Sequence, residues 1–385
     1  MNDFDLHAHL IGRQGSRRDL NTPVLVVDLE RLDRNIATMA GFAAEHGLQL
    51  RPHAKTHKSV DIARRQVAAG AIGLCCAKLG EAEALADGGI TGLHITSPVV
   101  PAAAVERLAR LNLRSPGLMV VVDNPDNARA IARAVDAAGD AAGDAPLSVI
   151  IDIDPGIHRT GVASAETAVA LFEVIRSLPQ LTYRGVQFYC GSHQHIHAFA
   201  EREAAMRERA DYLRGVIVAL AEAGGAPGIV TGGGTGTHRI DAGLGVFTEL
   251  QVGSYVFMDD QYRACDLTGE EGATIPFETS LMIDTSVISA NTPGLVTLDA
   301  GIKSMATDAD PATVESGADA DARFFLMGDE HGALLTPPGS LALGDRVSLR
   351  APHCDPTVNL YDNYHVVRGQ TLDAIWPVSG RGRSR

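Results

Sequence analysis

The chain has 385 residues, 45% of them apolar, enough for a large core and too apolar for wholesale disorder. Its 33 Lys and Arg are outnumbered by 47 Asp and Glu, a formal net charge of −14. That balance argues against nucleic acid or an anionic membrane surface as partner, because neither polyanion would be attracted; a small-molecule substrate is expected. The five cysteines (Cys75, Cys76, Cys190, Cys265, Cys354) are odd in number and show no CxxC spacing, so neither a disulfide framework nor a thiolate zinc site is expected. The first residues, MNDFDLHAHLIG, lack a basic stretch followed by an apolar one, and no run approaches the roughly 18 apolar residues of a spanning helix. A reducing, cytoplasmic setting is the expectation.

From Pro23 to Val252 short β-branched runs alternate with longer amphipathic ones. Val24–Leu29, Gln49–Arg51, Ile72–Cys76, Leu93–Thr96, Leu118–Val122, Leu147–Ile153, Tyr183–Tyr189 and Gly228–Val230 read as eight strands. Helix-like, Ala-rich segments such as Leu29–Glu45, Ala102–Leu111, Ala128–Ala138 and Ala198–Ala223 separate them. The strand candidates are apolar without strict alternation, as in parallel strands buried on both faces. Eight such βα units predict a (β/α)8 TIM-type barrel over residues 22–275; local pattern cannot show closure, so an open doubly wound sheet is the alternative. After Pro276 helical patterns almost vanish. Ser280–Ser289, Gly294–Leu298, Arg323–Leu326, Arg346–Leu349 and Tyr364–Val367 read as strands joined by Gly, Pro and Asp turns, predicting an all-β antiparallel domain over 276–385. Residues 1–21 fit neither pattern and are expected to pack with it, and the terminal RGRSR reads as a solvated tail.

Four segments carry chemistry. Arg51-Pro52-His53-Ala54-Lys55-Thr56-His57-Lys58 follows the second strand candidate, at the barrel end where active sites lie. A cluster this basic would lower a lysine's pKa and favour the free amine that a Schiff base needs. An ordinary basic surface loop is the bland reading, and the residues alone do not choose between Lys55 and Lys58. The run Thr231-Gly232-Gly233-Gly234-Thr235-Gly236-Thr237 follows the eighth candidate, where successive amides can cradle a phosphate; a plain Gly-rich turn is the alternative. Tyr189-Cys190-Gly191-Ser192-His193-Gln194-His195-Ile196-His197 places three histidines at a strand end, as bases, as metal ligands or as merely polar residues. In Pro352-His353-Cys354-Asp355-Pro356-Thr357, an extended backbone would turn His353 and Asp355 to one face and Cys354 to the other. That pair suits a divalent cation, or is simply hydrogen-bonded.

Together and in this order the segments resemble the D-threonine aldolase branch of the fold-type III pyridoxal-phosphate enzymes, relatives of the alanine racemase barrel. Further matches are Gly73-Leu74-Cys75-Cys76, Ile153-Asp154 through Arg159-Thr160-Gly161-Val162, Glu249 through Tyr255 with Met258-Asp259, and Asp299 through Ser304. The resemblance implies a pyridoxal 5'-phosphate cofactor, with Lys55 as the Schiff-base lysine. Gly233, Gly234, Thr235 and Gly236 match its phosphate cradle, Arg159 and Tyr189 its ring pocket, and Tyr255 a motif lining the same pocket. It implies His195 as base, His353 and Asp355 as divalent-metal ligands (manganese first; magnesium, cobalt or zinc as alternatives), and a homodimer. The implied reaction is retro-aldol cleavage of a D-β-hydroxy amino acid, D-threonine giving glycine and acetaldehyde. The rivals are a 3-hydroxy-D-aspartate aldolase, a D-serine or 3-hydroxyaspartate dehydratase, a racemase and a non-catalytic cofactor carrier. The chain departs from the pattern at Ala77 and Leu79-Gly80. It also has Asp355 where the related dehydratases tend to place a thiolate.

Overall fold

The structure is a computed structural model that describes residues 2–139 and 145–385. Its first strand, β1 (Val24–Asp28), is apolar and buried over its first four residues, and its half-buried last residue caps the following helix, Leu29–Glu45, with the Asp28 side chain accepting from Arg31 N. That helix buries Leu29, Leu32, Ile36, Met39 and Ala43, the three- and four-residue spacing of one helical face.

Eight short parallel strands follow: β2 (Gln49–Leu50), β3 (Cys75–Cys76), β4 (His94–Ile95), β5 (Met119–Val122), β6 (Leu147–Asp152), β7 (Leu181–Phe188), β8 (Ile229–Gly232) and β9 (Glu249–Leu250). Each pairs with its successor from β3 to β9, and β9 pairs back with β2. A bridge between His53 and Cys75 and the Cys75 N–H donating to Pro52 O join the two ends of the order, so the sheet curls round on itself. The expected barrel is present, but its strand list needs correction. β1 is not in it: Val24–Asp28 pairs with Leu281–Asp284 and His365–Val367 in the second sheet. The eighth barrel strand is Glu249–Leu250, two residues long and headed by a buried acid, too short to show a pattern.

The barrel's interior is layered. Met119, Val121 and Ile150 form a small apolar cluster with Ile229 packed on it. One step towards the strands' C-terminal ends the lining turns polar. Gln187 Oε1 accepts from His94 Nε2 at 3.0 Å and Gln251 Nε2 at 3.1 Å, while Gln187 Nε2 donates to Asp152 Oδ1 at 2.9 Å. This buried network forms the floor of the barrel mouth, its amides and carboxylate bonded to one another as low dielectric favours, while His94 Nδ1 is left buried without a partner. Burial pushes Asp152 up to about 6.

The second sheet contains β1 and β10 (Leu281–Thr292), β11 (Leu295–Leu298), β12 (Thr313–Ser316), β13 (Arg323–Leu326), β14 (Gly332–Leu335), β15 (Arg346–Arg350), β16 (Asn363–Arg368) and β17 (Thr371–Pro377). All its pairings are antiparallel except β1 with β16. The N-terminal segment lies on this sheet: Arg17 grips Asp284 at 2.7 Å, and His7 Nδ1 lies 2.8 Å from His365 Nε2. The terminal RGRSR is not a free tail. Its side chains are exposed, but the Arg385 carbonyl accepts from Gly80 N at 3.1 Å. No helix among the described residues is long and apolar enough to cross a membrane.

Candidate functional site

The site forms where the β2 end of the barrel meets the second domain. After Arg51 and Pro52 the chain makes a 3-10 turn, Ala54–Thr56, capped by His53 Nδ1 accepting from Lys55 N at 3.4 Å. A short helix, Cys354–Val358, packs against that turn. Two further bonds clamp the domains here: Tyr364 Oη donates to His57 O at 2.6 Å, and Gly380 N to Lys58 O at 2.8 Å.

Lys55 Nζ forms an ion pair with Asp355 Oδ2 from that helix. Burial alone would lower the ammonium's pKa, but Asp355 and Tyr189 override it and raise it above the ordinary value. The expected lowering by a basic cluster is therefore reversed. The reason is that the neighbouring cations are already spoken for: Arg51 pairs with Glu249 at 3.1 Å, and buried Lys58 pairs with Glu81. For Asp355 burial acts upward, yet Lys55 holds the carboxyl at about 2. Its second oxygen, Oδ1, is buried without a partner.

The 353–357 segment is helical rather than extended. His353 is the N-cap, Pro356 falls in the first turn where a missing N–H costs nothing, and Thr357 Oγ1 donates to His353 O at 2.7 Å. Cys354 is nonetheless turned inward and fully buried, its N–H donating to Asp259 Oδ2 at 2.9 Å. His353 Nδ1 lies 2.8 Å from Asp308 Oδ2, so a Nδ1–H donated to the carboxylate leaves Nε2 free as a ligand atom.

His195 is exposed and packs on Tyr262, ring centroids 4.6 Å apart. Although its edge is exposed, partial burial of the ring lowers its pKa, and His353 and Lys55 lower it further, which favours the neutral form able to accept a proton. It opens on a cleft of about 990 Å³, with Asp308 and Pro352 on the wall. Arg159 is exposed, with its guanidinium 5.6 Å from the ring of Tyr189. The turn before it is held by Asp154, whose Oδ1 accepts from the amides of Gly156, Ile157 and His158 at 2.9–3.0 Å.

In the glycine loop, Gly234 N donates to Thr237 Oγ1 at 3.2 Å and Gly236 N to Gln194 Oε1 at 3.1 Å. Among the described residues the amides of Gly233 and Thr235 have no acceptor within the chain. A Cβ on Gly233 would meet Asp241 Oδ2 at 2.5 Å, and Gly233 has φ +72°, so this position admits only glycine without strain. Tyr255 N donates to Thr235 Oγ1 at 3.0 Å, while the Tyr255 phenol is buried on Gln66.

Two unpartnered loop amides, a lysine at the barrel mouth and an orphaned carboxylate oxygen beside an oriented imidazole are the donors and acceptors that a phosphorylated aldehyde cofactor and a divalent cation take up. The residues present fit both groups. The sequence had not pointed to Gln194, Asp308 or Tyr262, and had given Asp259 only as part of a matched segment without a role; Gln194 sat unremarked within the histidine run, and Asp308 and Tyr262 lie outside any motif.

Residues 27–261 match the family model described as alanine racemase, N-terminal domain, and residues 280–367 match a putative serine dehydratase domain. The chain is 38% identical over 370 residues to the D-threonine aldolase of Arthrobacter sp, covering 95% of this chain and 94% of that one. The chain belongs to the alanine-racemase-like family, in its D-threonine aldolase branch. Another relative in this family is the 3-hydroxy-D-aspartate aldolase of Paracoccus denitrificans (strain Pd 1222), 37% identical over 95% of this chain and 93% of its own. The crystal structure of D-threonine aldolase from Filomicrobium marinum superposes with a TM-score of 0.89 at 35% identity, covering 96% of this chain and 97% of that one. The family also reaches the D-threo-3-hydroxyaspartate dehydratase of Delftia sp. (strain HT23), 30% identical over 93% of this chain and 97% of its own.

Proposed function

We propose that the chain is a carbon–carbon lyase that cleaves D-β-hydroxy amino acids to glycine and an aldehyde, with D-threonine and 3-hydroxy-D-aspartate as the substrates to try first. The observation that carries this reading is the meeting of Lys55, from the barrel, with Asp355, from the β domain, in a chain alike over its whole length to both kinds of aldolase. Lys55 would hold pyridoxal 5'-phosphate, with the amides of Gly233 and Thr235 on the phosphate and Arg159 and Tyr189 beside the ring. When bound, that cofactor supplies an electron sink for the pair released from a breaking Cα–Cβ bond. His353 and Asp355 would hold a divalent cation, manganese by ligand type, and the chemistry it would supply there is Lewis acidity toward a hydroxyl. His195, whose pKa partial burial lowers, would take the hydroxyl proton as the carbonyl of the aldehyde forms. A homodimer and a cytoplasmic setting complete the proposal.

The dehydratase reading is disfavoured by Cys354. It is buried against Asp259 rather than offered to a metal, and burial pushes its thiol well above the ordinary range. Product analysis separates the two. Incubated with the cofactor, manganese and D-threonine, D-serine or 3-hydroxy-D-aspartate, the protein is expected to yield glycine plus aldehyde from a β-hydroxy substrate. Ammonia plus keto acid as the dominant products would overturn the assignment.

A further inference from the structure

Gln194 is fully buried in a loop whose neighbours Ser192, His195 and His197 are exposed. Its amide is engaged at both ends with the glycine loop that follows β8. Nε2 donates to Thr237 Oγ1 at 2.9 Å and, inside its own loop, to Cys190 O at 3.3 Å; Oε1 accepts from Gly236 N. Thr237 Oγ1 in turn accepts from Gly234 N and donates to Asp241 Oδ2 at 2.5 Å. Two of the loop's amides are thus fixed from beneath by one side chain and the hydroxyl it positions, while those of Gly233 and Thr235 stay free. The fit is steric as well as polar. A Cβ on Gly234 would stand 2.4 Å from Gln194 Oε1, and one on Gly236 would stand 2.1 Å from the Gln194 carbonyl. The glycines admit Gln194 as much as they admit an anion. A glutamate could accept from Gly236 N but not donate to Thr237, and an asparagine is one methylene shorter.

The next residue is His195, one peptide bond along the same loop and packed on Tyr262. We propose that Gln194 is a positioning residue that couples the phosphate cradle to the loop carrying His195, so that filling the cradle fixes the imidazole for proton transfer. An anion on the Gly233 and Thr235 amides restrains the glycine loop. The hydrogen bonds through Gln194 pass that restraint to the backbone of residues 190–195 without any contact between His195 and the phosphate. The inference rests on the reading above of the glycine loop as phosphate site and His195 as base.

The test titrates the full chain with pyridoxal 5'-phosphate, following cofactor absorbance for affinity and the His195 imidazole by NMR. Turnover at saturating cofactor is then measured against pH. Gln194→Ala is expected to weaken cofactor binding by at least about tenfold, the loss of one or two buried hydrogen bonds. At saturating cofactor it should still show a lower kcat with little change in KM, and its His195 signal should no longer shift on cofactor binding. Thr237→Val removes the hydroxyl hub without emptying the Gln194 site and should give the same pattern, while Thr237→Ser should bring affinity and the His195 shift back. Wild-type affinity in a folded Gln194→Ala protein overturns the proposal. So does weakened affinity with an intact His195 shift and intact saturated kcat, which would leave Gln194 a brace of the cradle alone. If the unaltered chain itself fails to bind the cofactor, the functional reading is wrong and the coupling falls with it.

Discussion

Asp355 and Lys55 lie 300 positions apart in the chain and form an ion pair across the boundary between the barrel and the β domain. The pair keeps the lysine protonated and the carboxylate ionised. A Schiff base at Lys55 would therefore require a proton to leave Nζ, and would free Asp355 for a cation.

That coupling has a pH signature. Asp355 is the largest influence raising the Lys55 pKa against the downward pull of burial, so Asp355→Asn removes most of the upward pull and leaves the smaller ones of Tyr189 and Glu81. In metal-free protein the pH at which pyridoxal 5'-phosphate reacts half-maximally should shift to lower values in Asp355→Asn. An unchanged or higher midpoint in stopped-flow absorbance would show that the carboxylate does not govern the lysine.

The two lysines of the first motif should behave oppositely. Lys55→Ala should abolish the visible absorbance of bound cofactor and leave folding intact. Lys58→Ala should keep the chromophore but strand Glu81 as a buried charge, costing about 3–5 kcal/mol in urea unfolding. Loss of the chromophore in Lys58→Ala alone would reverse the assignment.

Metal binding should depend on a residue that does not touch the metal. Asp308→Ala removes the carboxylate on His353 Nδ1, frees the ring to take either tautomer, and should weaken manganese binding by about 10- to 100-fold. Chelation, His353→Ala and Asp355→Ala should each stop cleavage while the cofactor stays bound. Cys354→Ala should keep its metal, since the thiol is buried and burial keeps it protonated, its pKa pushed well above the ordinary range. Metal content measured beside activity decides; a metal-free Cys354→Ala protein would make the thiolate a ligand.

His195→Ala should bind cofactor and substrate yet lose about 10²- to 10⁴-fold in turnover, the usual worth of a positioned base. His193→Ala and His197→Ala are the neighbouring controls. Near-wild-type rates in the His195 variant would move the base elsewhere.

Acid should destabilise the fold. Burial holds His57, His94, His238 and His365 each at about 4, well below the unfolded value of about 6.5. A histidine depressed in this way stabilises the fold above its unfolded pKa, and that contribution is lost as pH falls from about 6.5 towards 4. Asp152, raised to about 6, and Asp241, raised to about 7, act in the opposite sense over the same window. Four imidazoles against two carboxyls leave acid the net destabiliser. The urea midpoint should drop steadily between pH 6.5 and 4.5, and a flat or rising midpoint would sink the account.

The sequence by itself determined what depends on neighbours along the chain. The alternation of β-branched runs with Ala-rich amphipathic ones is a local property, so the βα repeat, the switch to an antiparallel sheet after Pro276 and the positions of the motifs could all be read from it, while closure of the barrel could not. The glycine loop was visible as a candidate from its place after a strand, although a run of three glycines also fits a plain turn. What the tertiary structure decided is which distant segments meet. VLVVD at 24–28 is apolar on both faces and would be buried in either sheet, so nothing local reveals that its partners are Leu281–Asp284 and His365–Val367. The same limit hid the charge state of Lys55. Read locally, its neighbours Arg51 and Lys58 argue for a lowered pKa. In the fold Glu249 and Glu81 neutralise them, and Asp355 supplies the opposite sign. Gln194, silent between two histidines, gains its role only because the chain returns to it 42 residues later with Gly236. Electrostatics and hydrogen bonding act over ångströms in space and take no account of separation along the chain.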